Sequence, residues 1–62
     1  MKKIYIIKDI ISGEYYTSIY TYTFSEDIID ADEFNEFEEA ERKISTMPDG
    51  KYTIETVYIV TD

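Results

Sequence analysis

Nine carboxylates stand within sixteen residues of this chain, with no basic residue among them: Glu26, Asp27, Asp30, Asp32, Glu33, Glu36, Glu38, Glu39 and Glu41. Carboxylates so crowded can hold a hard cation, run acid–base hydrolysis as a pair, or present an anionic field to a cationic partner. The first chemistry fails on spacing. Asp30, Asp32 and Glu33 cluster, but an EF-hand loop begun at Asp30 puts Phe34 where an oxygen ligand belongs and Asn35 where glycine must turn. At most a weak adventitious Ca²⁺ or Mg²⁺ site is left, and no metal site is expected. The second chemistry needs a cleft that drives two carboxyl pKa values apart, which a sheet-and-helix domain of 62 residues has little depth to build. The chain has no histidine, no cysteine and only two glycines, so it lacks the common bases, the thiol nucleophile and a glycine-rich phosphate loop. No catalytic residue, no cofactor and no enzymatic activity are expected.

The third chemistry fits the local charge. Outside residues 26–41 the chain carries five acids and six bases, so the net charge of -8 is concentrated in one stretch. Two readings of that stretch stay open. It can be a solvated helix face, because acids near a helix N-terminus are favoured by the dipole. It can also be a recognition surface, because like charges three or four residues apart destabilise a helix by a few tenths of a kcal/mol each. Wound as a helix, the sixteen residues would span about 24 Å and carry about one charge per 2.7 Å. Duplex DNA carries one per about 1.7 Å of axis, or about 3.4 Å along a strand, so the density allows DNA mimicry. On this reading Glu26, Asp27, Asp30, Asp32, Glu33, Glu36, Glu39 and Glu41 bind a partner with a basic surface. Phe34 and exposed tyrosines add contact area.

The elements that must position these acids follow from periodicity. Lys3 to Ile10 is β-branched and apolar on both faces, as in a central strand, and Ser12-Gly13 supplies a turn. Glu14 to Phe24 reads as a second strand, with Tyr16, Ser18, Tyr20, Tyr22 and Phe24 on one face. Ser25 to Phe34 reads either as a short helix capped by Ser25 or as an irregular loop pinned by Ile28 and Ile29. Asn35, with Glu38 three residues on, resembles a capping box; Phe37, Ala40, Ile44 and Met47 then share one helical face. Glu38–Arg42 and Glu39–Lys43 stand at i,i+4 spacing. Pro48-Asp49-Gly50 makes a turn, and Lys51 to Thr61 alternates as the last strand. The expected fold is one α+β domain over residues 1–62, ordered β-β-α-β. Its three-stranded antiparallel sheet has strand order 2-1-3, with one main helix packed on one face.

Such a sheet leaves a face and two edges open, which points to a homodimer, with Tyr16, Tyr20 and Tyr22 as a dimer or packing face. Six bases against fourteen acids argue against direct nucleic-acid binding and against anionic membranes. The apolar run Ile4 to Ile7 stops at Lys8-Asp9, too short for a signal-peptide core or a span, so a cytoplasmic protein is expected.

The hairpin, the stretch ending Ala31-Asp32-Glu33-Phe34, the helix with Glu38-Glu39-Ala40-Glu41 and the closing Tyr52-Thr53-Ile54-Glu55 together resemble small acidic phage-encoded accessory proteins. That resemblance implies a non-enzymatic anti-defence role in the host cytoplasm. The protein would inhibit or modulate a host defence or DNA-handling protein, in some such cases by imitating DNA. The other class that the residues allow is a structural module assembling through its tyrosine-rich sheet face and open strand edges.

Overall fold

The computed structural model describes residues 1–19 and 23–60. Strand β1, Lys2–Asp9, lies inside a four-stranded antiparallel sheet ordered β3-β2-β1-β4. Ile6 and Ile7 are both buried, one on each face, which suits a strand flanked on both sides. Strand β4, Tyr52–Ile59, pairs antiparallel with β1 along its whole length, from Lys2↔Ile59 to Asp9↔Tyr52. The expected placement of the first strand between the second and the last is therefore found.

The second strand is corrected. Strand β2 is only Tyr15–Tyr16, and it pairs antiparallel with β3, Phe24–Ser25, through Tyr15↔Ser25 and Tyr16↔Phe24. The Thr17 amide donates to the Thr23 carbonyl at 2.9 Å, so the chain reverses direction between them. One predicted strand is thus a hairpin, and a three-stranded sheet becomes four-stranded. Tyr16 and Phe24 share a face as cross-strand partners and not as members of one strand. Tyr20 and Tyr22 lie outside the described residues.

Ser25 to Phe34 takes the irregular course of the two expected. A single 3₁₀ turn, Ile28–Asp30, is capped by Asp27, whose carboxylate accepts from the Ile29 amide at 3.1 Å. Ser25 supports this turn: its hydroxyl accepts from the Asp27 amide and donates to the Asp30 carboxylate. The chain then joins the free stretch of β1's edge through an isolated antiparallel bridge, with Tyr5 and Phe34 exchanging both backbone bonds at 2.8 and 2.9 Å.

Helix α1, Phe37–Thr46, packs on one sheet face. Its cap is Glu36 and no side chain bonds there, so the expected Asn35–Glu38 box does not form. Of the four apolar positions expected on one face, Ala40, Ile44 and Met47 enter the core, while Phe37 stays exposed and meets the Tyr5 ring edge-on. Ala40 is fully buried against Ile7 and Tyr16, with Ile44, Met47, Tyr52 and Ile54 around them. The tyrosine hydroxyl at the start of β4 fixes the connection, Tyr52 donating to the Pro48 carbonyl at 2.7 Å. On the far face, Ala31 is pressed onto Ile4 and Ile6 beside Val57 and Ile59. The 28–31 segment therefore shields part of the face that a single helix leaves bare.

Candidate functional site

The acidic stretch divides by what each carboxylate does. Asp32 is structural: it accepts from the Ser18 amide at 2.9 Å and from the Ser18 hydroxyl at 2.7 Å, tying the β2–β3 loop to the segment beside β1. Asp30 and Asp27 hold the 3₁₀ turn as described. Glu33 forms the one ion pair found among the described residues, to Lys2 at 3.9 Å, with both side chains half exposed. Glu26, Glu36, Glu38, Glu39 and Glu41 face solvent. Neither expected i,i+4 pair closes. Lys43 instead places its ammonium 5.3 Å from the centre of the Tyr16 ring, on the flank of α1 that faces β2.

The expected acids are not brought into one ridge. Residues on a helix advance by about 100° each, which puts Glu38 and Glu41 on one flank of α1 and Glu39 on the other. Glu41 borders the groove between α1 and β4. Glu26 and Asp27 precede the 3₁₀ turn on the far side of the sheet. Among the described residues no three acidic side chains come together as a cation site.

Two of the expected aromatics are held by the core. Phe34 bridges β1, and its ring packs into the helix-side core, half-buried. Tyr16 is buried against Ile7 and Ala40, so of the two roles expected for it, dimer face or packing face, it takes the packing one.

The two isoleucines expected to pin the loop between Ser25 and Phe34 are instead bare. Ile28 and Ile29 are 51% and 81% exposed. With Ile4, Ile6, Val57 and Ile59 they line a groove of about 350 Å³ on the far face, and Glu33 stands at its rim. Two adjacent isoleucines between acids were the available signal: a one-turn helix cannot point both inward. A second concavity, about 360 Å³, lies between α1 and β4 and is lined by Phe37, Glu41, Ile44, Tyr52 and Ile54.

Lys3 is a second basic group engaged by an aromatic ring on the helix side. Lys3 sits 5.7 Å from the Tyr5 ring centre, and its pKa lies above the ordinary lysine value. A hydrogen bond with Tyr5 is the main cause, followed by charge interactions with Tyr5, Tyr58 and Glu36. Among the described residues no helix is long and apolar enough to cross a membrane. No family model, curated protein or solved structure matches the chain.

Proposed function

We propose that this is a non-enzymatic binding protein, an inhibitor or modulator that docks through its acidic far side onto a basic host protein. The observation that carries the reading is the coincidence of bare apolar surface with acid. Ile28 and Ile29 project from the sheet's far face directly after Glu26 and Asp27, with Glu33 on the groove rim. A desolvated apolar centre with a charged rim is the arrangement that gives both contact energy and electrostatic steering. The matching partner carries an apolar projection ringed by lysine or arginine. A cytoplasmic, phage-encoded anti-defence setting follows from the resemblance of the sequence. Because the helix acids occupy two flanks, charge density, and not the regular spacing of phosphates, is the recognised feature; a DNA-binding host protein is one partner with the required basic surface.

The test uses Glu26→Lys/Glu33→Lys and Ile29→Ser, since none of these side chains supplies a hydrogen bond to the fold. A host protein retained from lysate by the wild type at low salt is then measured in isolation. Binding should fall at least tenfold in the charge-reversed variant and with added salt, and should fall for Ile29→Ser at every salt concentration. Equal affinity of all three proteins would overturn the reading. Competition by duplex DNA would identify the partner as a DNA-binding protein.

A further inference from the structure

We propose that the open edge of β4 is a self-association surface, on which two copies of the chain pair their β4 strands antiparallel about a two-fold axis at Thr56. In an antiparallel ladder, residues alternate between bonding one neighbour and the other. The Ile10 amide donates to the Lys51 carbonyl, and the register carries this phase along the strand. Thr53, Glu55, Val57 and Ile59 therefore turn their backbone groups to β1, while Tyr52, Ile54, Thr56 and Tyr58 turn theirs outward. Among the described residues no strand lies beyond β4 to receive them. The edge is eight residues long, contains no proline or lysine, and carries Glu55 as its one charge. Natural edges of this length are ordinarily blocked, because they recruit another strand.

The side chains select both the occupant and the register. Centred on Thr56, the two strands put Thr56 opposite Thr56, Ile54 opposite Tyr58 and Tyr52 opposite Val60. Cross-strand pairs of these types are favourable. A two-fold axis at Glu55 would place the two carboxylates directly opposite each other and is disfavoured by like charge. Tyr58 and Val60 are 61% and 79% exposed, although both lie on the sheet face that carries the helix. In the Thr56 register, Tyr58 of the second copy lies beside Ile54, over the groove between α1 and β4. The bare side chain of each copy thus fills the concavity of the other, and the sheet becomes continuous across eight strands with both helices on one side. The far-face groove stays free, so this association does not depend on the docking proposed above.

The full chain is examined by sedimentation at increasing concentration, beside Thr56→Lys and Thr56→Pro. Thr56 is exposed and its amide points outward, so neither change removes a bond within the fold. The wild type should sediment at twice the chain mass, and both variants as monomers with unchanged circular dichroism. Thr56→Cys, in a chain with no other cysteine, should form a disulfide-linked dimer on oxidation, because bonded partners in such a ladder lie about 5.5 Å apart at Cα. Thr53→Cys, facing β1, should not. A wild type that stays monomeric at millimolar concentration, or a dimer that survives both Thr56 substitutions, would refute the proposal.

Discussion

The carboxylate of Asp32 reaches across fourteen residues of chain to take two hydrogens from Ser18. Removing it leaves the Ser18 amide without its acceptor and frees the hairpin loop from the segment that caps β1's edge. Loss of a charge-assisted pair of this kind costs about 1.5–3 kcal/mol, so Asp32→Ala should lower the midpoint of chemical denaturation markedly. Glu26→Gln, which breaks no bond, should stay within about 0.5 kcal/mol of the wild type. Charge reversal at Asp30 or Asp32 would accordingly damage the fold before it reported on any partner. Lys3 makes a different contribution. Its pKa is raised in the folded chain, so the stability it adds is fully present below the unfolded value, about 10.5, and is lost as pH climbs through the higher folded one. The difference in unfolding midpoint between wild type and Lys3→Met should hold through neutral pH and vanish in strong alkali. It should also be small, because the ammonium is solvent-exposed.

At the scale of elements, Ile7 and Ile29 separate what holds the fold from what it presents. Ile7 is wholly buried between β1's neighbours and α1, whereas Ile29 is bare. A domain of this length has about 3–9 kcal/mol of stability, and truncating a buried isoleucine costs about 2–5 kcal/mol. Ile7→Ala should therefore abolish or nearly abolish the cooperative thermal transition, while Ile29→Ala should leave it in place. The same contrast explains what was legible in the sequence. Strands β1 and β4 and helix α1 each bury a periodic face, so Ile4, Ile6 and Ile7, or Ala40 and Ile44, announce their element by spacing alone. The hairpin of β2 and β3 does not. Tyrosine and threonine favour extended backbone whether the chain continues or turns back, and between Thr17 and Thr23 there is no glycine, proline or asparagine to mark the reversal. The bridge of Phe34 to Tyr5 and the Ser18–Asp32 clamp are tertiary facts, fixed by which segment reaches the open part of β1's edge. Of the site, the acids were legible as a density; their division into structural and free carboxylates was not.

For the molecule as a whole, salt should act on folding and on the proposed partner binding in opposite directions. Among the described residues one ion pair relieves the acidic stretch, so the folded chain confines mutually repelling carboxylates that the unfolded chain can spread apart. Raising the ionic strength from about 0.01 to 1 M shortens the Debye length from about 30 to 3 Å, and the repulsion across the surface of α1 and the 3₁₀ turn should largely disappear. Thermal stability should therefore rise with added sodium chloride. Glu41→Lys, which replaces one member of the field and sets a cation three residues after Glu38, should gain a few tenths of a kcal/mol at low salt and show a flatter salt response. A wild type whose melting temperature ignores salt would mean that the acids are too far apart to feel one another, and selection for their crowding would then need no partner to explain it. If stability rises with salt while retention of the basic partner falls, the field is costly to the fold and useful at the surface, and a weakened complex at high salt cannot be ascribed to unfolding.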